Sequence, residues 1–429
     1  MIIERNLYLD RLISRMNNGM IKVITGIRRS GKSFLLFKLF YDYLLDSGIK
    51  DEQIIKISLD TEEHRRHCNP ELLHEYILSQ IVNKHTQYYL FIDEAQYAIS
   101  KDEAKNQNVP IRLYGILNEL LRKENVDVYI TGSNSIFLSS DVLTEFRGRG
   151  DQIGIAPLTF SEFFPASNKN QIEAWQEYSL YGGMPHILKE KNEEDKVRYL
   201  NHLNTEIYLK DIKERYSIRD EGALESLMKV IASAIGSLTN PKKIYDTFTS
   251  AGIKGLSIPT ISNYLNHLQE SFILRKAERY DVKGRKYIST PAKYYYTDVG
   301  LRNALLNFRQ YEETHIMENI IYNELIFRGY QVDVGVVEIN VVENGRNIRK
   351  QLEVDFVVNL GNKRYYIQSA YAIPDREKMQ QEQASLLNIP DSFKKIIVVA
   401  GNSPLWRNEQ GITIINLFDF LLKPNSLDL

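Results

Sequence analysis

This chain of 429 residues has one cysteine, two tryptophans and no long apolar run. The lone Cys68 excludes an internal disulfide and a cysteine-built zinc site. The eight histidines show no metal-ligand spacing; His64, His67 and Cys68 form only a weak cluster in an acidic loop. No apolar stretch approaches the ~20 residues needed to cross a bilayer. The first residues, Met1-Ile2-Ile3-Glu4-Arg5, lack an apolar signal core. The expectation is a cytoplasmic protein without a membrane partner. Excess charge is missing as well. Lys and Arg number 54 against 55 Asp and Glu, so no global field draws the chain onto nucleic acid, and any such contact needs a local patch.

What is present suits a globular protein. Hydrophobic residues make up 43% and charged residues 25%, enough for more than one core. The length predicts two or three domains.

The most informative segment is residues 26–33, Gly26-Ile27-Arg28-Arg29-Ser30-Gly31-Lys32-Ser33. It meets every fixed position of G-x-x-x-x-G-K-[ST]. An apolar run, Ile21 to Ile24, leads into it and a helical pattern, Phe34 to Leu45, follows. Glycines let successive backbone N–H groups curl around a phosphate, and the next helix points its positive end there. Lys32 would reach the β- and γ-phosphates and Ser33 would ligate Mg²⁺. Arg28 and Arg29 occupy variable positions of the pattern. A second element reads Tyr88-Tyr89-Leu90-Phe91-Ile92-Asp93-Glu94. An apolar run ending in adjacent acids suits a buried parallel strand, with Asp93 on the metal and Glu94 polarising the attacking water. The strand 127–131 runs into Thr131-Gly132-Ser133-Asn134, where Ser133 or Asn134 could sense the γ-phosphate. Arg147 and Arg149 flank a glycine before the next strand. Either could act as an arginine finger on a neighbouring subunit's ATP, or be a plain surface residue. ATP and Mg²⁺ are the expected cofactors.

Residues 1–165 alternate strands (21–25, 54–59, 88–92, 127–131, 152–156) with helices (6–18, 31–46, 69–84, 110–124, 159–164). That pattern predicts a parallel sheet covered on both faces. The polar stretch 98–110 reads as a loop. Residues 166–290 are expected to be helical, broken at Tyr181-Gly182-Gly183-Met184-Pro185, and then to form a winged helix-turn-helix. Its turn carries Gly252 and Gly255, Ser257 caps the next helix, and two β-runs (272–280, 285–289) flank the basic turn Lys283-Gly284-Arg285-Lys286. Residues 291–429 predict a small α/β domain with helices at 313–328 and 375–388 and strands at 330–338, 352–359, 363–369, 394–399 and 412–416.

Taken with Ile130–Ser135, Arg147–Arg149, Pro157–Phe163, Tyr181–Pro185, Leu209–Tyr216 and Glu318, the two phosphate-site motifs make the chain resemble a known family. These are the prokaryotic AAA-type ATPases related to the archaeal ATPases, with a C-terminal domain of unknown function. The resemblance implies a P-loop ATPase core, a winged helix and a C-terminal restriction-endonuclease-like fold. In a nuclease of that type, acids hold Mg²⁺ and a lysine orients water. Glu318 or Glu324 could be the helix acid, and Asp355 stands at the aspartate position. Gln368 and Ala370 replace the second acid and the lysine, so a fold without cleavage is expected. DNA contact through 257–286 would use Ser257, Thr260, Ser262, Asn263 and His267, with Arg275, Lys276, Arg279, Lys283, Arg285 and Lys286 on the backbone. A homo-oligomer or a protein partner is the other expectation.

Overall fold

The computed structural model describes residues 2–100, 102–103, 109–132, 146, 148–216, 218, 220–252, 256–343, 346–401 and 404–429. The chain divides into two compact units. One comprises Met1–Pro157 with Glu270–Phe272, and the other Leu158–Gln269 with Ile273–Leu429.

The first unit is built on five parallel strands: β1 (Ile21–Gly26), β2 (Ile54–Ser58), β3 (Tyr88–Asp93), β4 (Val126–Gly132) and β5 (Gly150–Ile155). Their order is β2-β3-β4-β1-β5. Strands β1, β3 and β4 are buried along their whole length, as parallel strands covered on both faces must be. On one side Leu73, Ile77, Leu113 and Leu117 close over Val23, Leu90 and Val128. One ion pair is buried within the sheet. Lys22 meets Asp127, which also accepts from the Tyr129 hydroxyl at 2.7 Å and the Asn17 amide at 2.9 Å. Burial lowers the Lys22 ammonium, and Asp127 offsets that effect.

The expected boundary at 165 lies inside the helix Phe160–Ser167, which belongs to the second unit. A capping box of Thr159 and Glu162 starts this helix. Phe160 and Phe163 then pack edge-on against Tyr178 of the helix Gln171–Tyr181, so the helix joins its neighbour in sequence. The Gly182-Gly183 pair sits where the helix Val299–Leu305 begins. Gly183 N donates to Asp298 at 2.7 Å, and a Cβ on Gly182 would meet the Asp298 carboxylate at 2.1 Å. Burial pushes the Asp298 carboxyl up to about 6, against three backbone donors that pull it down.

The second unit holds an eight-stranded mixed sheet. Its strands are β6 (Leu274–Asp281), β7 (Lys286–Tyr296), β8 (Gln331–Glu343), β9 (Arg346–Leu360), β10 (Lys363–Ala370), β11 (Lys394–Val399), β12 (Trp406–Arg407) and β13 (Thr413–Asn416). The order is β12-β13-β11-β10-β9-β8-β6-β7. The helices Pro241–Ser250 and Ile258–Glu270 and the β6–β7 hairpin follow in the expected sequence. The hairpin is no free wing, however. β6 pairs in parallel with β8, so the boundary expected at 290 falls inside β7 and the hairpin belongs to the C-terminal sheet. Strand pairing satisfies the β6 edge, which a free wing would leave to solvent.

Gly26 pairs with Ile155 at φ +143°, and a Cβ there would stand 2.1 Å from the Ile155 carbonyl oxygen. Gly26→Ala is expected to lower unfolding free energy by about 3 kcal/mol or more, the range of a severe core lesion. Urea denaturation followed by circular dichroism measures it.

Candidate functional site

Because β4 lies between β1 and β3, the C-terminal ends of these strands meet. Register sets Ile24 beside Thr131 and Ile92 beside Ile130, so Thr131 stands next to Asp93. The Thr131 hydroxyl is fully buried. It donates to the Asp93 carboxylate and accepts from the Glu94 amide at 3.0 Å. One hydroxyl thus holds both acids, with Glu94 in a left-handed conformation at φ +50°.

After β1 the chain turns through Gly26, Arg29 (φ +69°) and Gly31 (φ +97°), and a helix runs over residues 32–46 with its middle, Leu35–Phe40, widened to π-type turns. Left-handed residues alternating with ordinary ones turn successive N–H groups to one side and make an anion cradle. Ile27 and Ser30 are buried, and Arg29 is exposed. The Ser30 hydroxyl is buried without a hydrogen-bond partner. Lys32 is buried, donating to the Gly26 and Ile27 carbonyls at 3.1 and 3.2 Å. Burial drives its ammonium down to about 8; Glu94 and Asp93 pull it up, and Arg28 adds to the lowering. Burial likewise raises Asp93, against hydrogen bonds from Thr131 and Ser33. The Ser33–Asp93 pair, the unpartnered Ser30 hydroxyl and the cradle of amides fit a magnesium nucleotide. Ser33 and Asp93 would hold the ion.

The structure therefore brings together Gly26 to Ser33, Asp93 and Glu94. It does not bring Arg149 to them. Arg149 is exposed before β5, and its carbonyl accepts from Ile21 at the start of β1. That edge is five strand residues from the cradle, roughly 16 Å at ~3.3 Å per residue. Ser133, Asn134 and Arg147 lie outside the described residues. Three contributors were not singled out from sequence. Thr131 braces the acids. Gln96 donates its amide to Glu94 while its own oxygen is buried without a partner. Arg5 donates to the Ser30 carbonyl at 3.1 Å and the Ala156 carbonyl at 2.9 Å, tying the cradle to the end of β5. Only Gln96 had a local signal, its position two residues beyond the acid.

Known proteins show which family the chain resembles. A family model described as an AAA domain matches residues 18–164, and one described as a domain of unknown function matches 172–312. An uncharacterized protein of Haemophilus influenzae is 33% identical over 98% of this chain and 99% of its own length. Another, from Methanocaldococcus jannaschii, is 27% identical over 85% of this chain and 77% of its own. The chain belongs to the AAA-type P-loop ATPases. The fold of this ATPase is similar to that of the Walker-type ATPase of Pyrococcus abyssi, with TM-score 0.51 and 15% identity over 71% of this chain and 96% of that one. No helix among the described residues is long and apolar enough to cross a membrane.

The second unit of the ATPase gathers its own charges. Lys293 on β7 lies 2.8 Å from Glu318, 2.7 Å from Glu353 and 3.7 Å from Asp355. The Tyr295 hydroxyl donates to Glu318 at 2.6 Å and the Ser369 amide to Asp355 at 2.8 Å. A lysine thus does stand by Asp355, supplied by β7 rather than by position 370. Glu324, the other candidate helix acid, is instead paired with Arg328 at 2.7 Å. Among the described residues, no three His, Cys, Asp or Glu side chains are grouped to hold a metal ion. Of the residues expected on DNA, His267 stacks on Tyr216 at 3.7 Å and Ser257 caps its helix, accepting from Thr260 N at 3.3 Å.

Phosphate oxygens would raise Lys32 from its lowered value, so binding takes up a proton above pH 8. Nucleotide affinity is expected to fall as pH rises from 7 to 9.5, with that dependence lost in Lys32→Met; titration with a fluorescent ADP analogue reads both. Lys293→Met leaves three carboxylates around an empty place and is expected to lose about 3–5 kcal/mol of stability in urea unfolding.

Proposed function

We propose that the chain binds ATP with Mg²⁺ in the cradle of residues 26–33 and hydrolyses it, and that the cycle moves the second unit. The observation that carries this reading is the meeting of Lys32, Asp93 and Glu94 across β4, with Thr131 fixing the acids. Lys32 is the cation for the charge that grows on the β–γ bridge and γ-oxygens as the bond breaks. Its ammonium donates to two carbonyls, which phosphate oxygens would replace. Glu94 is the carboxylate that takes the proton of the attacking water. Bound Mg²⁺ would screen the phosphate charge, held by Ser33 and Asp93. Arg149 can serve only another chain's nucleotide, so its role requires an oligomer. Ser133 and Asn134 remain the proposed γ-phosphate sensors, following β4 directly.

A second reading is that nucleotide switches DNA binding through residues 257–286. It is supported by the exposed Arg285 and Lys286, which the β6–β7 hairpin presents on an otherwise neutral protein.

Removing the proton acceptor while keeping its shape separates binding from chemistry. Glu94→Gln is expected to keep ATP affinity within about threefold and cut phosphate release at least a hundredfold, the scale of a lost general base. Lys32→Ala should lose both. Turnover by Lys32→Ala equal to the unaltered protein would refute the assignment.

A further inference from the structure

The strands β8 and β9 continue past the sheet as a two-stranded ribbon. Its register pairs Glu338 with Gln351, Ile339 with Lys350, Asn340 with Arg349, Val341 with Ile348 and Val342 with Asn347. Opposed residues share a face and successive ones alternate. One face therefore carries Asn340, Val342, Asn347 and Arg349, all exposed. The other carries Ile339, Val341, Ile348 and Lys350, together with Arg346, and its β9 residues are exposed too. Near its root the ribbon packs Ile339 against the core of its own unit, while the face of Asn340, Val342, Asn347 and Arg349 stays in solvent.

The basic β6–β7 turn is fastened to the root of this ribbon. Val282 N donates to the Val336 carbonyl at 3.0 Å, and the Lys283 ammonium to the Glu338 carbonyl at 2.6 Å. Arg285 and Lys286 stay exposed beside it. Together with Arg346, Arg349 and Lys350 they make five cations, none ion-paired among the described residues. Glu338, the carboxylate at the root, accepts from Gln351 at 3.2 Å.

We propose that this ribbon seats in the major groove of duplex DNA, with Arg346, Lys350 and the turn on phosphates and with Asn340, Asn347 and Arg349 toward base edges. The inference rests on the second reading above and adds a contact surface to it. The major groove of B-form DNA, ≈ 12 Å wide, admits a two-stranded ribbon, and Asn and Arg are side chains that read adenine and guanine there. Duplex RNA keeps its major groove too narrow and deep for such entry, which makes DNA the fitting partner. Val342, exposed on the same face as Asn340, Asn347 and Arg349, supplies contact to a thymine methyl group.

The test is fluorescence anisotropy with a labelled mixed-sequence DNA duplex of about two helical turns, and an RNA duplex of the same sequence, at two salt concentrations. The full chain is compared with R346E/R349E/K350E and with R285E/K286E, each checked by thermal melting. The inference expects DNA bound at least tenfold tighter than RNA. It also expects the ribbon variant to bind at least tenfold more weakly, its salt slope shallower by about 2–3. Unchanged binding by the ribbon variant, with loss only in R285E/K286E, would overturn the ribbon and leave the second reading standing. Equal affinity for RNA overturns the groove seating. No binding of the unaltered chain to either duplex at low salt overturns both.

Discussion

The position of one buried hydroxyl governs the site. Thr131 touches both members of the Asp93–Glu94 pair because β4 runs between the strand that ends in the phosphate loop and the strand that ends in the acids. Had β3 paired directly with β1, the acids would stand against the loop with no room for a polar group between them. The sheet order thus decides the spacing of cation and carboxylate, and the side chains act within it. Burial then sharpens the electrostatics. Lys32 and Asp93 are both pushed toward their neutral forms.

The cradle itself is held from outside the motif. Arg5 reaches the Ser30 carbonyl and the Ala156 carbonyl, and it also stacks 4.7 Å over the Tyr8 ring. A guanidinium has donors enough to serve two carbonyls at once, and being buried it loses little freedom in doing so. The loop's left-handed residues cost conformational energy that this brace helps to offset.

The second unit solves a different problem, that of burying charge. Lys293 among Glu318, Glu353 and Asp355, and Asp298 among backbone amides, are each tied by several partners. Such clusters specify one arrangement, since a slipped strand or helix would strand a charge in a dry interior. The Gly182-Gly183 pair is explained in the same terms, as the opening through which Asp298 reaches a backbone donor.

Where the signal is local, sequence alone was sufficient. The five strands of the first unit and most elements after residue 313 lie within a few residues of their expected limits, because apolar runs, helix caps and the phosphate-loop pattern are written over short stretches. But β8 runs on to Glu343 and β9 starts at Arg346, past the expected 338 and before the expected 352, since the largely polar ribbon there carries no long apolar run. Lys32, Ser33, Asp93 and Glu94 could be proposed because their motifs are local. Thr131 as a brace, Arg5 as a clamp and Lys293 as the partner of Asp355 were not. Each is an ordinary residue at an ordinary position, given its structural partner by a neighbour 37, 25 or 62 residues away. The same holds for the β6–β7 hairpin, whose residues read as a wing but whose edge is completed by β8, and for Arg149, which strand direction carries to the far end of the sheet. Sequence determined the chemistry available and most of the elements. Strand order and register, which depend on long-range pairing that no local pattern encodes, decided which of those groups could meet.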